Sequence, residues 1–188
     1  MPRTVSNKKD SRIGKTDRDI KRAMLELIRK EPYGQIRIEQ IMQEAPVTKV
    51  TFYKHFASKD DVLGSIREDM VSEMLASLNK MPEKSLGGGV RLFYHFLNTD
   101  KPAEKKLLND SDYCDFSKQV REKYFGSDFF RAFCARPEDF GIASGFISDV
   151  AFGVYRRWRK KPDNDRPDLD TLADMTANML MGGLKGLG

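Results

Sequence analysis

The chain has 188 residues, 39% hydrophobic and 32% charged, with a formal net charge of +5. That composition excludes a disordered polyelectrolyte and suits one or two small domains with real cores. The charge is unevenly placed, because residues 1–60 carry 14 Lys and Arg against 8 Asp and Glu, whereas residues 61–188 carry 19 against 20.

A basic excess confined to the N-terminal third is expected if that part faces a polyanion. A basic tail serving solubility alone would leave the same asymmetry. Cys114 and Cys134 stand in no metal or redox spacing and His55 and His95 are the two histidines, so reduced structural thiols, no metal site and no cofactor are expected. The opening MPRTVSNKKDSR lacks the apolar stretch of a secretory signal, and no run of about 18 apolar residues occurs. The expectation is a cytoplasmic protein without membrane contact.

In chain order, residues 1–15 are polar and basic without periodicity and are expected to form a flexible arm. Lys8, Lys9 and Arg12 would be placed to reach a minor groove or backbone, or to contact nothing. Thr16 with Asp19 resembles a capping pair, and Ile20, Ala23, Met24, Leu27 and Ile28 follow at helical spacing, giving a first helix to about Lys30 that ends at Pro32-Tyr33-Gly34. Ile38, Ile41, Met42 and Ala45 mark the buried face of a short second helix. Pro46 ends it and forces a turn, after which the Thr48 hydroxyl is placed to cap a third helix. In that helix Val50, Phe52, Tyr53 and Phe56 are expected to pack, leaving Thr48, Lys49, Thr51, Lys54 and His55 outside. Hydroxyls that reach phosphates or base edges, lysines that neutralise phosphates and a helix N-terminus form a set suited to DNA. An ordinary helical hairpin with a solvated cationic face would show the same pattern. Ser58 then caps a long helix with Val62, Leu63, Ile66, Met70, Val71, Met74, Leu75 and Leu78 on one side, running to about Lys80. Lys59 sits in its first turn as a candidate phosphate clamp.

The run TKVTFYKHFASKDDVL, with the short amphipathic helix and turn before it, resembles the N-terminal domain of TetR/AcrR-type transcriptional regulators. The likeness covers about Asp17 to Leu75. Phe52-Tyr53, Phe56 and Ser58-Lys59 fall where that family has them. Pro46 stands where the family usually has a turn glycine, Arg37 where it often has a capping threonine, and Val50 where a small residue is common. The resemblance implies a helix-turn-helix reading head at 16–60, followed at 61–188 by a helical effector-binding and dimerisation domain. It also implies that the connecting helix moves when an effector binds.

Met81 to Val90 reads as a break, since a proline followed by three glycines leaves a helix at a cost. Beyond it Leu92, Phe93, Phe96 and Leu97 form one stripe, and Tyr113, Phe116, Val120, Tyr124 and Phe125 another. Phe129, Phe130 and Phe133 follow. Phe93, Phe96, Tyr113, Phe116, Phe129 and Phe133 are candidates to line an apolar ligand pocket, with ordinary core packing explaining each equally well. Two long helices are expected at about 138–161 and 168–187. The first carries Phe140, Ile142, Phe146, Ile147, Val150, Val154 and Trp158; the second carries Leu172, Met175, Met179 and Leu180. Their apolar faces suit pairing with a second subunit, or else cover the chain's own core.

The fold is therefore expected to be all-α, an N-terminal three-helix helix-turn-helix domain with a C-terminal helical domain. The expected function is that of a sequence-specific transcriptional regulator, a ligand-responsive repressor that binds a pseudo-palindromic operator as a homodimer. Arg37, Thr48, Lys49, Thr51, Tyr53, Lys54, His55 and Lys59 are the expected DNA contacts. A co-regulator whose C-terminal domain binds a protein, or a nucleoid-associated protein, would share these features. No Gly-rich phosphate loop and no set of nucleophile, base and orienter can be assembled, so an enzyme is not expected.

Overall fold

A computed structural model of the chain describes residues 6–109, 116 and 119–185, with side chains described within 14–109, 116 and 119–182. In chain order the α-helices are α1 (Ser6–Lys30), α2 (Ile38–Glu44), α3 (Lys49–His55), α4 (Lys59–Asn79), α5 (Leu86–Leu97), α6 (Pro102–Asn109), α7 (Asp128–Arg131), α8 (Phe140–Arg159) and α9 (Leu169–Lys185). Short 3-10 turns lie at Tyr33–Gln35, Pro137–Asp139 and Asp163–Asp165, and a π-helical stretch at Val120–Phe125. Every regular element among the described residues is helical, in agreement with the all-α expectation. No helix among them is long and apolar enough to cross a membrane. The chain divides into two compact units, Met1–Asp69 with Lys101–Asp112, and Met70–Asp100 with Tyr113–Gly188.

In the first unit, α1 buries Ile20, Ala23, Met24, Leu27 and Ile28, the spacing read from the sequence. The helix begins at Ser6, ten residues before the Thr16 capping pair, so the segment expected as an arm is helical from Ser6 onward. The side chains of Lys8, Lys9 and Arg12 lie outside the described residues. Helices α2 and α3 pack on α1; the core of this unit also takes in Ile36, Ile41, Ala45, Phe52 and Phe56, and the N-terminal half of α4 adds Val62, Leu63 and Ile66. The Ser58 hydroxyl caps α4, accepting from the Asp61 N–H at 3.1 Å, while Asp61 accepts from the Ala57 N–H at 3.0 Å. The short α6 also belongs to this unit and packs on α1, burying Ala103 and Leu107. Its Lys106 Nζ donates to the carbonyls of Ile28 at 2.8 Å and Glu31 at 3.1 Å. A lysine there satisfies oxygens that the end of α1 leaves open and meets the negative end of the helix dipole.

In the second unit the Gly87-Gly88-Gly89 run lies inside α5, not in the break before it. Ser85 caps the helix by accepting from the Gly88 N–H at 3.0 Å. Packing overrides the low helix propensity of glycine at Gly89, where an added Cβ would come within 2.8 Å of the Phe129 ring and 2.9 Å of the Phe130 ring. The Tyr124 hydroxyl donates to the Gly89 carbonyl at 2.8 Å, and the burial that makes this possible pushes its ionisation far upward. Leu86, Gly89, Val90, Phe93, Tyr94 and Leu97 form the buried face of α5, which packs along α9. The Tyr94 hydroxyl lies 2.9 Å from Thr176 Oγ1 and donates to the Ala151 carbonyl at 3.3 Å, and burial raises its pKa to about 12. In α8 the buried face is Phe140, Ala143, Ile147, Ala151, Tyr155 and Trp158. Ile142, at 73% exposure, and Phe146, at 40%, were expected on that stripe and lie on another face.

Candidate nucleic-acid interface

The α2-turn-α3 unit is set from its first residue. Arg37 is extended, and its backbone N–H donates to Gln40 Oε1 at 2.7 Å, while Gln40 Nε2 donates to Glu31 at 2.8 Å. Gln40 thus ties the start of α2 to the end of α1, and the Arg37 side chain is exposed. Ile41 is fully buried and Ala45 nearly so, with Ile38 and Met42 half-buried. The turn closes with a bond from the Val47 N–H to the Met42 carbonyl at 3.1 Å. No described residue has a positive φ, so this turn never needs the left-handed geometry that favours glycine, and Pro46 fits.

Thr48 caps α3 as expected from the sequence: its Oγ1 accepts from the Thr51 N–H at 3.2 Å and lies 2.9 Å from Thr51 Oγ1. Phe52, fully buried, holds the helix down, with its ring 5.4 Å from Tyr53 and 6.4 Å from Phe56. Successive residues turn by about 100° around a helix, so Val50 and Lys54 fall opposite Phe52 and Tyr53 to one side; these three are exposed, as is Lys49 at the first position of the helix. Thr48 is exposed and Thr51 half-buried beside it. Val50, expected to pack, is 81% exposed and Tyr53 is 48% exposed. The packing expected of four residues falls to Phe52 and Phe56.

Two other residues expected at this surface are held inside the domain. His55 Nδ1 lies 2.6 Å from Asp17 Oδ1, with the imidazole only 9% exposed. Lys59 Nζ donates to the carbonyls of Ile36 at 2.8 Å and Tyr33 at 3.0 Å and stands 4.5 Å above the Tyr33 ring. The Tyr33 hydroxyl donates in turn to Asp60. These contacts fix the last turn of α3 to α1 and the first turn of α4 to the 3-10 turn. Asp17 escaped the sequence reading, since an acidic residue one turn before the first core position of α1 looks like any solvated face.

The aromatics proposed for a pocket are distributed differently in the second unit. Phe93 is fully buried, its ring 5.0 Å from Phe125, 4.9 Å from Phe152 and 5.9 Å from Tyr124. Phe96 stacks on Phe116 at 6.4 Å, and Phe129 meets Phe130 at 5.1 Å and Phe133 at 5.6 Å. Tyr113 and Cys114 lie outside the described residues. A cavity of about 570 Å³ opens between the start of α5 and α9, lined by Lys84, Leu86, Asp174, Asn178 and Met181 among others. Of the five candidates among the described residues, only Phe133 reaches it.

The family described as "Bacterial regulatory proteins, tetR family" matches residues 20–66, the span from the core of α1 into α4 that holds the α2-turn-α3 unit. A TetR transcriptional regulator from Streptococcus agalactiae 2603V is 20% identical with a TM-score of 0.64, covering 92% of this chain and 97% of its own. Salmonella enterica GusR is 15% identical with a TM-score of 0.61, covering 90% of this chain and 95% of its own. At such identities the structures establish a shared fold. No relative was found among functionally curated proteins. By the family match, the chain carries at residues 20–66 a DNA-binding domain of the tetR family of bacterial regulatory proteins, the mark of a DNA-binding transcriptional regulator.

Proposed function

We propose that the chain is a dimeric, ligand-responsive repressor that reads a pseudo-palindromic operator with α3. The observation that carries this reading is the outward face of that helix. Lys49 and Lys54 stand there exposed with Tyr53, and the Thr48 and Thr51 hydroxyls lie beside them, on a helix clamped from behind by Phe52. Lysines supply affinity through phosphates, and hydroxyls and aromatic edges supply contacts to bases. Arg37, Thr48, Lys49, Thr51, Tyr53 and Lys54 form the contact surface. His55 and Lys59 serve it by orienting α3 and α4 through Asp17 and the Tyr33–Ile36 carbonyls.

Dimerisation is supported by α8 and α9, where Ile142, Phe146, Met175 and Met179 are 40% or more exposed. Large apolar residues spaced by four on two helices form a self-complementary surface, which a two-fold axis would close. Two copies of α3 would then address successive major grooves. The cavity between α5 and α9 is the space we assign to an effector, which acts only by favouring one arrangement of the two reading heads.

The experiment is selection of bound duplexes from a random DNA pool with the full chain. Enrichment of one two-fold symmetric sequence is the expected result. Recovery of unenriched DNA would refute sequence reading, and enrichment of a single asymmetric half-site would refute the dimer.

A further inference from the structure

We propose that Val50 is a specificity residue that reads the C5-methyl group of a thymine in the major groove; this rests on α3 being the DNA-reading helix. Among the described residues Val50 is the most exposed large hydrophobic side chain, at 81%. It is the second residue of a seven-residue helix whose anchoring is done by Phe52. Nothing among the described residues rewards it there. A β-branched side chain lowers helix propensity and its stiff χ1 restricts it further, and at this exposure it gains no burial.

Its surroundings narrow what it meets. Tyr53 and Lys54, three and four residues on, flank it on the same outer face, and Lys49 precedes it. The Thr51 hydroxyl beside it is engaged with Thr48 at 2.9 Å. Val50 is therefore an apolar point ringed by groups that suit phosphates and polar base edges. A major groove offers hydrogen-bond donors and acceptors at every base pair but one apolar feature, the thymine methyl. The stiffness that penalises valine in a free helix becomes useful here, because its two methyls are already fixed when the groove arrives.

The test uses the full chain and the duplex recovered by selection, with each thymine replaced in turn by deoxyuridine, which removes the methyl and nothing else. Wild-type protein is expected to lose about fourfold in affinity at one position per half-site, the equivalent of one buried methyl. Val50→Ala is expected to bind thymine and deoxyuridine equally at that position while retaining its low-salt affinity for random DNA. Val50→Thr, which keeps the shape, should show an intermediate ratio. If wild type and Val50→Ala respond alike to deoxyuridine at every position of a sharply selected site, this inference fails while DNA reading stands. If no preferred duplex emerges, both fail.

Discussion

Replacing Gly89 with alanine sets two effects of known sign against each other. In a helix, alanine is favoured over glycine by about 1 kcal/mol, so the exchange would stabilise α5 if there were room. There is little: the new Cβ would stand 2.8 Å from the Phe129 ring and 2.9 Å from the Phe130 ring, against an ordinary carbon–carbon separation of about 3.5–4.0 Å. The rings cannot retreat freely. Phe130 is fully buried and meets Tyr124 at 5.3 Å, Phe125 at 5.0 Å and Phe129 at 5.1 Å. Overpacking costs about 1–3 kcal/mol, and two rings inside 3.0 Å put this site in the upper part of that range, about 2–3 kcal/mol, which exceeds the propensity gain and leaves Gly89→Ala about 1–2 kcal/mol less stable. Gly64 in α4 is the control, since its added Cβ meets nothing within 4 Å and Gly64→Ala should stabilise by up to about 1 kcal/mol. Urea unfolding followed by circular dichroism reads both. A Gly89→Ala variant as stable as the parent would refute the account of why glycine occupies that position.

Lys54→Ala should weaken binding to all DNA and flatten its salt dependence by about one phosphate contact, whereas Lys49→Ala or Thr51→Ala should weaken the selected operator preferentially; titrations at several salt concentrations separate the two. Thr48→Ala removes the α3 cap and should cost about 1 kcal/mol in chemical denaturation. Lys106→Met keeps the stem but loses both carbonyl contacts, so it should lower stability by about 2 kcal/mol and speed amide exchange in the last turn of α1. Burial raises the Tyr94 and Tyr155 hydroxyls to about 12 from 10.0. The folded state therefore holds their protons more tightly, an advantage fully present below about pH 10 and lost as pH rises toward 12, worth up to about 3 kcal/mol each. Denaturant midpoints that stay flat across that window would contradict it.

Much of the first unit was legible in the sequence because its signals are local. Ile20 to Ile28, Ile41 and Ala45 follow helical spacing, and Thr48 and Ser58 cap where a hydroxyl precedes a helix. The failures are long-range. Whether Val50 packs or projects depends on which face Phe52 claims, a choice between two apolar residues that periodicity over seven positions does not decide. His55 and Lys59 read as DNA contacts until Asp17, 38 residues from His55, and the Tyr33 and Ile36 carbonyls are brought beside them. Gly87 to Gly89 read as a break because the rings that require Gly89 lie some forty residues further along. The Pro46 turn shows the reverse case, where a departure from the family's glycine costs nothing because the backbone there stays at negative φ.

The docking of α6 on α1 has a consequence for how the protein can be divided. A cut in the 80–85 connection, where the sequence most invites one, would leave the DNA-binding unit without Ala103, Leu107 and the lysine that closes the end of α1. That unit is assembled from two stretches of chain with more than thirty residues between them. On a ribosome, the reading head would wait for the later stretch to emerge before its packing is complete, and a fragment ending at residue 80 would hold its DNA surface on an unfinished core.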